Sequence, residues 1–204
     1  MRNISHWTPR YIFDRIQLAL YEKQNPNQPW LTRDAISILK SFLKKSDSGL
    51  EWGSGRSTVW FAARVQYLVS VEDNPEWYQT VTGKLKDLNL DNTDYHLLAE
   101  QDSYVGIVSK FQNNSLDFAL VDGSHRDRCA VSVVEKIKFG GVVIVDNVNW
   151  YLPSNTYSPA SRTFETGPAS DEWQRFSDLV KDWRVIWTSN GVTDTAFFIK
   201  TTIA

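Results

Sequence analysis

One short stretch of the sequence, from Glu51 to Thr58, joins a carboxylate to two glycines, Gly53 and Gly55, directly after a short apolar run. Glycines at a strand-to-helix turn let the backbone approach a ligand closely, and ligands of doubly wound sheets bind at the carboxyl ends of the strands. Thr58 stands where a dinucleotide fingerprint has its third glycine, and no phosphate-cradling G-K-[ST] sequence follows. Glu51 would repel a pyrophosphate but suits an ammonium group. The stretch therefore indicates a nucleotide-type cofactor and disfavours a dehydrogenase.

A second pair of acids, Glu72 and Asp73, ends the next apolar run, and Glu72 lies 19 residues after Gly53. An acid at the tip of the second strand commonly accepts hydrogen bonds from both ribose hydroxyls. Acids also suit the first turn of a helix, which would explain the pair without any ligand. Their spacing behind Glu51 and Gly53 favours the ribose-binding interpretation.

Three oxygen-bearing side chains, Asp122, Asp146 and Asn147, follow two later apolar runs. Adjacent parallel strands end at the same edge of a sheet, so these side chains are predicted to meet, and three oxygen donors suit a magnesium ion. His125 follows Asp122 by three residues, and an imidazole can act as a general base near neutral pH. The alternative is that Asp122 and Asp146 are only turn residues and helix caps after buried strands.

The elements that must position these residues follow from the hydrophobic pattern. From residue 48 onward, short apolar runs alternate with helix-length stretches, which predicts a parallel sheet with helices on both faces. After a very short strand before Gly53, the predicted strands cover 67–71, 95–99, 116–121 and 142–145, and the runs 183–188 and 195–200 predict a closing antiparallel pair. Residues 1–45 are predicted to form two helices that begin after Thr8 and Thr32. The stretch 147–170 fits neither period, and we expect it to form a lid over a substrate.

Composition excludes several classes of protein. The 204 residues are 42% apolar and carry a net charge of −2, which suits one domain with a full core. No long basic run occurs, so we expect no nucleic-acid partner. No apolar run approaches the roughly 20 residues of a membrane span, and the charged first twenty residues are unlike a signal peptide. We therefore expect a cytoplasmic protein with no membrane partner. The single cysteine, Cys129, is predicted to be a buried helix residue.

From about residue 48 to residue 200 the chain resembles class I S-adenosylmethionine-dependent methyltransferases. Glu51, Gly53 and Gly55 match the acid-x-Gly-x-Gly turn of that family, Ser57 stands where many members have a third small residue, and Glu72 matches the second acid. The resemblance implies an α/β fold: a doubly wound, Rossmann-like methyltransferase sheet over 46–204 that forms one structural unit with a helical cover, 1–45. It also implies S-adenosylmethionine as cofactor. The implied cofactor-binding residues are Glu51, Gly53, Ser54, Gly55, Ser57, Glu72, Asp73, Asp102, Ser103 and Asp122.

The segment 30–58 looks like a bacterial subgroup of small-molecule methyltransferases, and the acids after the fourth and fifth strands are similar to those of metal-dependent O-methyltransferases of the catechol and caffeoyl type. This resemblance implies a magnesium ion held by Asp122, Asp146 and Asn147, with Asp122 and His125 as catalytic residues. His125 stands where the catechol-type pattern has a lysine.

The implied activity is methyl transfer to a small-molecule acceptor, at a hydroxyl. One alternative is a catalytically inactive cofactor-binding or interaction protein on the same fold. Another is an adenine or cytosine methyltransferase of nucleic acid. Enzymes of that kind that methylate adenine carry an Asn/Asp-Pro-Pro-aromatic motif after the fourth strand, and this chain does not have it.

Overall fold

The computed structural model describes residues 7–201, and seven strands within them form one sheet. In chain order the strands are β1 (Ser48–Trp52), β2 (Tyr67–Glu72), β3 (Thr93–Leu97), β4 (Leu116–Val121), β5 (Ile137–Asp146), β6 (Arg184–Ser189) and β7 (Asp194–Ile199). Their spatial order is β3-β2-β1-β4-β5-β7-β6. Strands β1 to β5 run parallel, and β7 runs antiparallel to both β5 and β6. The predicted doubly wound sheet with a closing antiparallel pair is confirmed.

Helices cover both faces of this sheet. They are α1 (Pro9–Gln24), α2 (Arg33–Phe42), α3 (Arg56–Ala62), α4 (Pro75–Asp87), α5 (Gln101–Gly106), α6 (Arg126–Val133) and α7 (Asp171–Leu179). Helices α5, α6 and α7 contribute to one apolar core, and α2, α3 and α4 to the other. Strand β4 serves both cores, because Ala119 and Val121 face one side while Phe118 and Leu120 face the other. Each such side chain stabilises the fold by roughly 1.5–3 kcal/mol when fully buried.

The strand order places the candidate residues at one edge of the sheet. Strand β1 lies between β2 and β4, and its last residue, Trp52, pairs with Val71 on one side and Val121 on the other. The chain leaves β1 towards β2 and returns on the other side of β1 to form β4. This reversal of strand order creates the crevice in which doubly wound folds bind their ligands. The loops after β1, β2, β4 and β5 therefore meet in one place.

The two N-terminal helices have the predicted starts. The Thr8 hydroxyl accepts a hydrogen bond from Tyr11 N, and the Thr32 hydroxyl accepts one from Ala35 N. Helix α2 buries three side chains in the α2–α3–α4 core, whereas α1 buries none. That these helices cover the cofactor site stays a prediction, and residues 1–6 and 202–204 of the two predicted parts lie outside the described residues. No helix within 7–201 is long and apolar enough to cross a membrane.

The long loop between β5 and α7 is fixed to the sheet by one buried carboxylate. Asp194, the first residue of β7, accepts hydrogen bonds from the hydroxyls of Thr156 and Ser158 at 2.5 Å each and from the Trp187 indole at 2.9 Å. The Asp194 backbone N–H donates to the side chain of Asn149. Apart from a short 3₁₀ turn at Val148–Trp150, the loop contains no helix and no strand longer than a single bridge. It is thus ordered by polar contacts rather than by regular structure.

Candidate functional site

Glu51 lies inside the turn that follows β1, where it is fully buried. Its Oε2 atom accepts hydrogen bonds from the hydroxyls of Thr58 at 2.6 Å and Ser70 at 2.7 Å, while Oε1 is buried and has no partner. Burial raises the pKa of Glu51 to about 7, against the lowering effect of the hydrogen bonds from Thr58 and Ser70. Ser57, predicted as a cofactor residue, is buried near the start of α3. The unpaired oxygen could accept a hydrogen bond from a ligand ammonium group.

Gly53 is required by the packing of the protein itself, because the turn after β1 contacts the loop after β4 at this residue. Its φ is +87°, and a Cβ built there would lie 2.5 Å from the backbone nitrogen of Gly123, in the loop after β4. Only glycine permits this approach. Gly55 differs, since the nearest atoms to a Cβ built there belong to the Trp77 ring at 3.7 Å. Packing within the protein therefore accounts for Gly53 but not for Gly55.

The two acids after β2 have different surroundings. Glu72 is almost buried, and its two oxygens accept hydrogen bonds from the backbone N–H groups of Ser54, Asp73 and Asn74 and from the Ser54 hydroxyl. Asp73 is partly exposed, and its Oδ2 atom accepts a hydrogen bond of 2.5 Å from the hydroxyl of Ser124 after β4. Asp73 therefore has the more available carboxylate for ribose hydroxyls, whereas Glu72 holds the turn.

The remaining predicted cofactor residues flank these turns. Ser54 bonds to Glu72 and, at 2.6 Å, to the Tyr95 hydroxyl, while its carbonyl accepts a hydrogen bond from the Trp77 indole. Asp102 and Ser103 are exposed in the first turn of α5, just beyond the carboxyl end of β3. They therefore lie on the β3 side of the crevice.

Arg126, the first residue of α6, joins the tips of β4 and β5. Its guanidinium forms an ion pair of 2.9 Å with the Asp122 carboxylate and donates to the carbonyl oxygens of Asp122 and Asp146 at 2.6 Å each. It also donates to the side-chain oxygen of Asn147 at 3.0 Å. Asp122, Asp146 and Asn147 therefore lie close together, as predicted. The positive charge between them is the guanidinium of Arg126 rather than a metal ion.

These residues do not fit a magnesium ion. Arg126 occupies oxygens of Asp122 and Asn147, and the buried carboxylate of Asp146 accepts a hydrogen bond of 2.6 Å from Thr195 on β7. In the described part of the chain, no three His, Cys, Asp or Glu side chains are grouped so as to hold a metal. The predicted magnesium site is therefore not supported. Arg126 was not among the predicted site residues, because nothing in the sequence indicates that a residue at the start of α6 reaches back to Asp122 and across to β5.

The carboxyl groups around Arg126 keep unusual pKa values. Burial raises the pKa of Asp122 to about 6, while the charge and hydrogen bond of Arg126 lower it. Burial also raises the pKa of Asp146 well above its ordinary value, and the nearby Asp122 charge raises it further. One guanidinium therefore compensates two crowded acids, a concentration of perturbed groups that is typical of functional sites.

His125 is exposed beside this arrangement, in a left-handed backbone conformation with φ 49° and ψ 38°. Such strain in a residue other than glycine is concentrated at functional sites. A cavity of about 590 Å³, which we name the acceptor cavity, is lined by His125, Arg126, Tyr151 and Trp173 among others. The rings of Tyr151 and Trp173 stack there with centroids 5.0 Å apart. Trp173 was not among the predicted site residues, because its spacing on α7 is that of a core residue, and its side chain is buried here with only a small part lining the cavity.

Comparisons with known proteins bear on the fold. No protein-family model and no curated protein matches the chain. Among solved structures, a methyltransferase from Geobacter sulfurreducens matches with a TM-score of 0.60 and 11% identity, over 93% of this chain and 89% of its own. A putative rRNA-methylase from Clostridium thermocellum matches with a TM-score of 0.56 and 15% identity, over 84% and 96%. TYW2 from M. jannaschii, in complex with AdoMet, matches with a TM-score of 0.51 and 12% identity, over 84% and 77%.

The chain has the methyltransferase fold. The similar structures include a methyltransferase, a SAM-dependent methyltransferase from Aquifex aeolicus and a protein in complex with AdoMet, and at these identities the likeness establishes the fold and not the acceptor. Methyltransferases of rRNA and tRNA are among them. The prediction that excluded a nucleic-acid partner is therefore wrong. It relied on the absence of a basic run in the sequence, but a basic surface can also be assembled from separate elements.

Proposed function

We propose that the protein transfers the methyl group of S-adenosylmethionine to a hydroxyl of an acceptor bound in the acceptor cavity. The observation that carries this proposal is the direct contact between the Gly53 turn and the Gly123 loop, with Asp73 hydrogen-bonded to Ser124 above it. This contact makes the candidate cofactor crevice and the acceptor cavity neighbours. A transfer between two ligands needs such adjacency, because the reacting atoms must approach to roughly 3–3.5 Å.

The β1 and β2 turns fit the cofactor in charge and shape. The buried, unpaired Oε1 of Glu51 suits the ammonium group of the methionine part, and the partly exposed carboxylate of Asp73 suits the ribose hydroxyls. Gly55 leaves space that the packing of the protein does not require. When bound, S-adenosylmethionine supplies a methyl group activated by its sulfonium. The protein's own contribution is to hold both partners in position.

The acceptor cavity provides a base, a cation and an aromatic wall. In our proposal the His125 imidazole takes the hydroxyl proton as the oxygen attacks, and Arg126 keeps the surrounding carboxylates from repelling the oxygen's growing negative charge. The half-buried Tyr151, which stacks on the buried Trp173, offers a surface for the apolar part of the acceptor. A cavity of about 590 Å³ accommodates a small molecule or one unit of a polymer.

The alternative of an inactive cofactor-binding protein on the same fold predicts a filled acceptor site. Here the cavity is open and lined by His125 and Arg126 rather than by apolar side chains alone. This observation favours the enzyme.

The test measures transfer of labelled methyl from S-adenosylmethionine to a panel of catechols, sugars and short oligoribonucleotides, in one series with a chelator and in a second series with magnesium. We expect transfer to a hydroxyl compound, and we expect His125→Ala to lower turnover by about 10²–10⁴-fold while S-adenosylhomocysteine affinity stays unchanged. His96→Ala is the matched control, because His96 lies on β3 and pairs with Asp94. Full turnover in His125→Ala would remove the proposed base. A requirement for magnesium would show that Arg126 does not replace the metal.

A further inference from the structure

A second, larger depression lies apart from the acceptor cavity, between helices α2, α3 and α4. It has a volume of about 660 Å³, and its lining includes four cationic side chains: Lys40 from α2, Arg56 and Arg64 from α3 and the residues just after it, and Lys84 from α4. Asp87 is the one acid among the lining residues. We name this depression the basic groove.

The charge of the basic groove is not compensated by the protein. Within residues 7–201, none of its four cations forms an ion pair with a carboxylate. The Nη1 atom of Arg56 is buried and has no hydrogen-bond partner. Burial lowers the pKa of Arg64, as expected where a cation is desolvated without a counter-charge. Lys40 and Lys84 are exposed and Arg56 and Arg64 are half-buried, so all four charges are available to an anion that binds in the basic groove.

An aromatic platform adjoins these cations. The Trp30 ring is 51% exposed, stacks on Trp77 with centroids 6.4 Å apart and lies 4.8 Å from the Arg56 guanidinium. The indole N–H of Trp77 also donates a hydrogen bond of 2.7 Å to the Ser54 carbonyl, which belongs to the candidate cofactor turn. An exposed indole beside an arginine is a surface on which a nucleic-acid base can stack.

We infer that the basic groove binds a single strand of nucleic acid, with phosphates against the four cations and a base on Trp30. Arg56 is the first residue of α3 and Arg64 lies two residues beyond its end, so a helix of seven residues, about 10 Å long, separates them and the positive charge follows a path rather than marking one point. Lys40 and Lys84 come from the helices on either side. A positive groove that follows a backbone beside a stacking ring is the arrangement by which proteins bind single strands. This inference goes beyond the proposed methyl transfer and does not depend on it.

The test is a fluorescence-anisotropy titration of the full chain with labelled dodecamers of uridylate and thymidylate at several salt concentrations, without cofactor. We expect binding that weakens with salt, with a slope of log K against log salt of about −3, the value for four phosphate contacts on a single strand. The double variant Lys40→Ala/Lys84→Ala should halve that slope. Trp30→Ala should weaken binding about tenfold through lost stacking.

Lys86→Ala is the control, because Lys86 is an exposed lysine of α4 that does not line the basic groove. Three outcomes would overturn the inference: no binding at low salt, equal weakening by Lys86→Ala and the double variant, or displacement of the dodecamer by uridine monophosphate at the same nucleotide concentration. The last result would assign the groove to a free nucleotide. Because no methyl transfer is measured, failure here leaves the proposed enzyme activity standing.

Discussion

At the scale of single residues, the buried carboxyl group of Glu51 ties stability to pH. Its folded-state pKa, about 7, lies above the ordinary value of 4.5. The stability that the protonated group contributes is therefore complete below about pH 4.5 and is lost as pH rises through 7. The shift corresponds to about 3 kcal/mol at alkaline pH.

Glu51→Gln should remove this dependence, because the amide keeps an acceptor for Thr58 and Ser70 and carries no charge. We expect the variant to exceed the wild type by about 3 kcal/mol in free energy of unfolding at pH 8 and to equal it near pH 4.5. Urea denaturation at both pH values measures the difference. An equal gain at the two pH values would mean that the carboxylate is not the cause. The same variant should lose affinity for S-adenosylhomocysteine, since it lacks the charge that attracts the ammonium group.

Arg126→Met tests the guanidinium that joins β4 and β5. Removal leaves Asp122 and Asp146 without a counter-charge, and we expect a loss of about 3 kcal/mol at pH 8, at the low end of the range for a buried ion pair because this pair is only partly buried. The deficit should shrink as pH falls towards 6, because the loss of Arg126 raises the pKa values of both carboxyl groups further and they become protonated in the folded variant. Thermal melts against pH measure it, with Arg128→Met on the exposed side of α6 as control. A deficit independent of pH would assign Arg126 a packing role only.

At the scale of elements, the hydrophobic pattern predicted correctly the bounds of those strands whose residues are buried in the core. The run 116–121 is β4 without change, because its residues are buried or nearly so on both faces. Strand β3 was predicted two residues late, since Thr93 and Asp94 are polar and lie on an edge strand, where pairing with Leu68 and Val69 decides the register. Strand β5 begins five residues before the predicted run, because Gly140 and Gly141 interrupt the apolar pattern between Phe139 and Val142.

The loop 147–170 shows why local patterns fail for polar segments. Its order depends on Asp194, which lies 36 and 38 residues beyond the hydroxyls of Ser158 and Thr156 that it binds. No spacing pattern in the sequence predicts a hydrogen bond between residues so far apart in the chain. The loop nevertheless ends at the acceptor cavity, where Ala169 and Ser170 join Tyr151 in the lining. The predicted lid is therefore held against β7 in this structure, and its function as a lid stays a prediction.

Asp194→Asn should loosen this loop selectively. Both carboxylate oxygens of Asp194 accept hydrogen bonds, and in the variant an amide nitrogen, which cannot accept one, replaces one of these oxygens. At least one hydrogen bond to a charged group is therefore lost, which costs about 1.5–3 kcal/mol. We expect amide hydrogen exchange in 154–162 to accelerate about 10- to 100-fold, while strands β1 and β4 keep their protection. Asp91→Asn, at an exposed position before β3, is the control. Unchanged exchange in 154–162 would show that other contacts hold the loop.

At the scale of the whole molecule, the fold could be predicted from the sequence, as could the meeting of the candidate residues at one edge of the sheet. The distribution of positive charge over the folded protein could not be predicted. The net charge of −2 correctly describes the chain, yet Lys40, Arg56, Arg64 and Lys84 converge on one groove because helices α2, α3 and α4 pack together. Likewise, the sequence placed Asp122 and Asp146 together but did not reveal that Arg126 lies between them. Both errors concern cations whose partners are set by tertiary packing.

The central claim is that the crevice at the β1, β2 and β4 turns binds S-adenosylmethionine. The most direct measurement is a calorimetric titration of the full chain with S-adenosylhomocysteine, in the presence of a chelator and then of an equal concentration of NAD. We predict that S-adenosylhomocysteine binds at one site, that the chelator does not change its affinity, and that NAD does not displace it, because Glu51 would repel a pyrophosphate and attract an ammonium group. Absence of binding, or displacement by NAD at equal concentration, would contradict it.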